Sequence, residues 1–338
     1  MKTFIITFTL SILFCTTIKA QCPPGDVEIY SSSMLSDFLF QYPNCTDLSG
    51  NLWLNQSLNL SGLENIVSVE GKLTIINNNL ITNLSAFSSL ASVGDFDIKN
   101  NNSLSSLNGL ASIDSIGTLE INNNDALIDL SGLQNLNTIG YLEILNNDGL
   151  INLSGLQNLN TIDRIVIYNN NTLTNLSGLS NLTAVETRLQ IEANSSLNSL
   201  SGLENLSIVN GYFLIVDNDA LTDLTGLETL TAINGGLSIG TYDHGNESLL
   251  SLNGLNNLTS VIGGFEIIEN PSLTSIAVLG NLTTLTGGIE ISDNPSLTNL
   301  SGLENFTTIV GSLRIRGNDA LTNLNGLENL LPRQAERK

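Results

Sequence analysis

The sequence is short of the residues from which most active sites are built. Its 338 residues hold one histidine (His244), three cysteines, and 11 lysines and arginines against 32 aspartates and glutamates. A single histidine excludes the His-rich sets of metal centres and leaves one residue of the commonest general-base type, and no glycine-rich phosphate loop is present. So few basic residues argue against nucleic acid as a partner, because phosphate binding rests on clustered Lys and Arg. Long apolar runs are missing too. The stretch from Phe4 to Phe14 is too short to span a bilayer, and no other candidate transmembrane segment follows. The chain is expected to have no cofactor, no metal site and no catalytic residues.

Lys2, the apolar stretch after it and the small Ala20 have the order of a cleavable secretory signal over residues 1–20. Cys15 follows Phe14 and Cys22 follows Gln21, so neither has the small residue before it that a lipoprotein requires. The mature chain is therefore expected to be secreted or held at the cell surface. Its two cysteines, Cys22 and Cys45, are expected to form a disulfide in that oxidising compartment. Removing Lys2 and Lys19 with the signal leaves 9 basic against 32 acidic residues, a net charge of −23. That acidity is spread along the chain and reads as a solvated surface.

What the sequence does have is repetition. The pattern L-x-I-x-x-N-x-x-L-x-x-L-x-G-L-x-x-L-x-x-I-x-G recurs eleven times, its strand Ile falling at residues 75, 98, 121, 144, 167, 191, 215, 239, 267, 291 and 315. The spacings are 23 four times, 24 three times, 28 once and 24 twice, the signature of a solenoid. L-x-I alternates with period two and predicts a short strand with one face buried. The later leucines recur every third residue, too tight a turn for an α-helix. In one copy the inward set is Leu142, Ile144, Leu150, Leu153, Leu156, Leu159 and Ile162. The fold class expected is mainly β: a right-handed parallel β-helix or leucine-rich-repeat-like solenoid with one N-terminal capping helix. Residues 1–20 form the signal, 21–51 the cap, 52–330 the solenoid and 331–338 a tail that is truncated or foreign.

Three columns fix the coil. An Asn stands three residues past the strand Ile in every copy: Asn78, Asn101, Asn124, Asn147, Asn170, Asn194, Asn218, Asn246, Asn270, Asn294 and Asn318. Its amide is expected to donate to and accept from the backbone of the next coil, forming a structural ladder. Gly precedes the strand in nine copies, with a positive φ expected; Asp163 and Thr187 break this column, so their turns should differ. The third column is the S/N-G-L corner, which fails at Ala86 and Val278.

Ahead of the repeat, Leu35, Phe38, Leu39 and Tyr42 have helical spacing. Ser32 or Ser33 is the expected N-cap, and Pro43 the stop. A helix tied down by Cys22–Cys45 would close the open end of the stack. Cys22, this helix with Phe38, then Asn44, Cys45 and Gly50-Asn51-Leu52-x-Leu54 resemble the start of the receptor L domain of insulin and EGF receptor ectodomains. The repeat is similar to the same domain, a right-handed β-helix kin to leucine-rich repeats, and to long bacterial surface proteins of that type. The resemblance covers about residues 22 to 330 and implies the fold. The receptors' cysteine-rich module, membrane span and kinase have no counterpart here, so signalling is not carried over.

The outward strand positions are bland except in the middle coils. Asp95, Asp97 and Lys99, or Thr118, Glu120 and Asn122, give way to Tyr141 and Leu145, then Arg164, Val166 and Tyr168, then Arg188, then Tyr212, Leu214 and Val216. Aromatics and Arg are enriched at binding hot spots. The next copy carries the only long insertion, with Tyr242 and His244, expected to overhang that patch. These residues are the candidate ligand-binding set. The function expected is non-enzymatic extracellular or cell-surface recognition or adhesion, binding a protein or glycan; the alternative is a passive spacer of the envelope or matrix. Paired acids such as Glu120 with Glu143 and Asp125 with Asp148 arise by default from identical columns. The N-x-S/T sequons, such as Asn152-Leu153-Ser154, are likewise mostly the repeat's own corner.

Overall fold

The computed structural model describes residues 21–56 and 59–330. The signal and the tail lie outside the described residues. Each L-x-I pairs with the same segment of the adjoining copies in parallel register, as in Leu142↔Ile165 and Ile144↔Ile167, so one continuous sheet runs along the stack. All seven inward residues of the Leu142–Ile162 copy are buried, as are their equivalents in most copies. The fold is a mainly β, leucine-rich-repeat-like parallel solenoid. Two short strands, Val27–Ile29 and Leu52–Asn55, precede the first full copy and pair with each other in register.

The strands are longer than L-x-I. From Ser68–Ile76 to Ala184–Glu192 they have eight or nine residues and include the last apolar position of the repeat, as the pairing Ile139↔Ile162 shows. From Tyr212–Val216 onward this segment splits into two strands. The spacing to the inward strand residue also varies: Ile139 lies three residues before Leu142, whereas Val69, Val185 and Val209 lie four before Leu73, Leu189 and Phe213. The switch between these spacings produces a register shift at Ile162/Arg164, which is where Asp163 and Thr187 replace glycine.

The glycine columns act differently from expectation. Gly94, Gly117 and Gly140 are not among the residues with positive φ. A Cβ at Gly140 would instead stand 2.6 Å from the carbonyl oxygen of Gly117, so glycine is needed there because adjacent coils approach too closely for a side chain. Positive φ belongs to the S/N-G-L corner, +121° at Gly155 for example. Where that corner lacks glycine the chain finds another turn: 3-10 helices form at Ser85–Phe87 and Ala277–Asn281, and Phe87 and Leu279 fill the vacated leucine positions.

The cap is a helix, Ser32–Gln41, with Leu35 and Phe38 buried. Its N-cap is Ser31, one residue earlier than expected: the Ser31 side-chain oxygen accepts from the Met34 N–H at 3.2 Å. Cys22 and Cys45 form a disulfide with their Cα atoms 4.6 Å apart. No helix among the described residues is long and apolar enough to cross a membrane.

Candidate functional site

The Asn ladder is the frame on which every outward side chain is placed. The Asn147 Oδ1 accepts from the Asn124 N–H at 3.0 Å, and its Nδ2 donates to the Ile121 carbonyl at 3.0 Å and to its own coil's Leu145 carbonyl at 2.9 Å. The side chain therefore serves the backbone of the preceding coil and its own, and its Nδ2 also lies 3.1 Å from the Asn170 Oδ1 of the following one; all eleven ladder residues are buried. At this corner two carbonyls and one N–H thus find partners without water.

Two further ladders went unread in the sequence. The residue before the ladder Asn is left-handed in nearly every coil, with φ of 54–58° from Asn77 to Asp293, and its exposed side chains are linked as Asn100 Nδ2 to Asn77 Oδ1 at 3.2 Å. The Asn-Asn doublets in the early copies were the available signal, since Asn tolerates this conformation best after glycine. On the far side of the coil, Asn158, Asn181 and Asn205 each donate Nδ2 to a carbonyl one coil back. Asn181 and Asn205 head N-x-S/T sequons, so their amide nitrogens already have a structural task.

The outward strand face divides into three zones along the stack. At the N-terminal end Lys72 meets Asp97 at 3.1 Å, and Lys99 meets Asp97 at 3.0 Å and Glu120 at 2.6 Å. Burial pushes the Lys99 ammonium down, but its hydrogen bonds and charge pairing with Glu120 and Asp97 leave it raised. Beside this cluster a groove of about 600 Å³ is lined by Trp53, Lys72, Asp95 and Asp97. Lys72 and Asp97 are paired with each other there, and Asp95 accepts from the Thr118 N–H at 2.8 Å. Trp53 is half exposed; standing before the first full copy, it escaped the column comparison.

The C-terminal zone belongs to the insertion. Tyr242 reaches two coils onward, its hydroxyl donating to Glu290 at 2.6 Å and accepting from Arg314 at 3.1 Å, while Arg316 lies 5.1 Å from its ring centre. The loop is thus fastened toward the C-terminus, and its tyrosine does not lean back toward Tyr212 as expected. His244 is exposed on the same loop. Glu290 is pushed up by burial, yet the hydrogen bonds from Tyr242 and Ser292 and the charges of Arg314 and Arg316 hold it below the ordinary carboxylate range.

Between these zones lie the central candidates. Tyr141, Arg164, Arg188 and Tyr212 are in-register partners on four successive strands, forming one column. Tyr141, Tyr168 and Tyr212 are exposed, and Leu145 is half-buried. Val166, Leu214 and Val216 were expected on open surface, but they are only 6%, 7% and 2% exposed. Strands about 4.8 Å apart bring taller neighbours close enough to shield an aliphatic side chain, as Glu143 and Gln190 flank Val166. They are the floor of the patch, and the tyrosines and arginines its upper surface. Arg164 meets Glu143 at 3.4 Å. Burial pushes the Tyr212 hydroxyl up, and it remains raised despite Ser238 and Arg188. Glu120 and Glu143, one of the acid pairs that identical columns produce, are register partners, each engaged by a basic neighbour, Lys99 or Arg164.

No protein-family model matches the chain, nor does any curated protein sequence. Among solved structures it is similar to a chain in the crystal structure of a TLR13–ssRNA13 complex, with 16% identity and a TM-score of 0.24 over 87% of this chain and 58% of that one.

Proposed function

We propose that the chain is a secreted or surface-held recognition protein, kin to the receptor L domain, that adheres to a protein or glycan through the strand face of its central coils. One observation carries this reading: Tyr141, Arg164, Arg188 and Tyr212 stand in one column, with Tyr168 beside them, above an apolar floor of Val166, Leu214 and Val216. A spacer would need only the repeat, whereas here the outward columns depart from it on one side and in consecutive coils. Binding is the activity, and no catalytic step is assigned.

The test is to replace Tyr168 and Tyr212 together by Ser in the secreted chain. The labelled variant and wild type are then compared for adhesion to a panel of glycans and cell surfaces. Loss of adhesion with an unchanged melting midpoint supports the face; retained adhesion moves the site to the corner loops.

A further inference from the structure

We propose that Arg164 and Arg188 together hold a single acidic group, a carboxylate or a sulfate, on a saccharide whose ring faces rest on Tyr141 and Tyr212. This assigns the ligand class and rests on the central coils being the recognition face.

Among the described residues every basic side chain of the solenoid but one meets an acid: Lys72 and Lys99 near Asp97, Arg314 and Arg316 near Glu290, and Arg164 near Glu143 at 3.4 Å. Arg188 forms no ion pair among the described residues, and its in-register neighbour is another arginine, Arg164. The Nε atoms of both are buried and, among the described residues, neither has a hydrogen-bond partner. Like charges directly opposite on adjacent strands are unfavourable, and an unsatisfied buried donor adds to the cost. Glu143 offsets the charge of Arg164, whereas the charge of Arg188 meets no acid among the described residues. An anion with two or three oxygens placed across the two guanidinium groups would give Arg188 its acid and share Arg164 with Glu143, through the forked contacts that arginine makes with such oxygens.

The surroundings narrow the ligand. In the middle column of the same strands, Asp97, Glu120 and Glu143 lie toward the N-terminus and Glu266 and Glu290 toward the C-terminus. An extended polyanion would meet these carboxylates on either side, so the ligand carries its acid at one position. Tyr141 and Tyr212, which flank the arginines, are 46% and 36% exposed, an aromatic surface with a hydroxyl that suits a sugar ring with polar edges and an apolar face. A peptide would be expected to use a sheet edge, where backbone groups are free, and this is a paired sheet face.

The probes are trisaccharides bearing one uronate, one sialate or one sulfate, each beside its neutral counterpart, and a Glu-containing peptide, all titrated against the full secreted chain. At least one acidic saccharide is expected to bind, with its neutral counterpart and the Arg188→Gln variant each weaker by roughly tenfold or more. Arg188→Lys is expected to recover only part of the affinity, since it restores charge without the fork. Arg188→Gln should not lower the melting midpoint, because it removes a repulsive neighbour. Equal binding by acidic and neutral forms, no binding by any acidic saccharide, unchanged binding in Arg188→Gln, or equal binding by the peptide each overturns the proposal. If Arg188→Gln still adheres to native surfaces while the Tyr168/Tyr212 variant does not, the anion site falls and the recognition face stands. If both still adhere, the face falls as well.

Discussion

The ladder residue Asn147 satisfies three backbone groups that the corner withholds from water. Asn147→Leu leaves them unpaired, and each is expected to cost about 1–3 kcal/mol. Asn137→Ser, at an exposed position one corner away, should be nearly neutral. Urea unfolding of the two variants checks this, and equal midpoints would mean that the ladder does not bear on stability. The left-handed column gives an opposite expectation. Ala193 adopts φ 56° where the early copies use Asn. Since that conformation strains a residue with a plain Cβ, Ala193→Asn should stabilise the chain by about 1 kcal/mol. A lower midpoint in that variant would count against the strain argument.

At the scale of elements, the insertion at Gly240–Gly245 is a strap made of one tyrosine and three charged residues two and three coils away. Glu290 is held below the ordinary carboxylate range, so the folded state takes up its proton less readily than the unfolded chain. Its contribution is therefore complete above the unfolded carboxylate range and declines as the pH falls through the lower folded value. Glu290→Gln should lower the melting midpoint at neutral pH by less than about 1 kcal/mol equivalent, because exposed pairs contribute little. The difference from wild type should vanish in strong acid. A difference that grows with acidity would refute this assignment.

For the whole molecule, stability is shared between neighbouring coils, and a solenoid is weakest where a coil has only one neighbour. The disulfide-bound helix occupies that position at the N-terminal end. Cys22 and Cys45 are 23 residues apart, and a bridge of that length contributes about 3 kcal/mol by restricting the unfolded chain. Cys45→Ser should therefore speed hydrogen exchange first in the strands Leu52–Asn55 to Ser92–Lys99 and leave the central coils protected. Uniform exchange along the stack would indicate a single cooperative unit instead.

The sequence by itself determined the coil. A side chain that recurs at the same place in the repeat meets the same environment wherever a copy is stacked on both sides, so inward leucines, ladder asparagines and the corner at Gly155 follow from periodicity alone. The departure of the middle outward columns was legible for the same reason, as a break in a regular pattern. Tertiary structure decided whatever depends on the distance between neighbouring coils. Gly140 is glycine because the backbone of Gly117 lies too close for a Cβ, which no local φ preference reveals. Val166, Leu214 and Val216 are covered by side chains from strands more than twenty residues away in the chain. Tyr242 is drawn to Glu290 and Arg314 because stacking, not sequence proximity, brings them within reach. Repetition fixes which way a side chain points; only the stacked coils fix what it meets there.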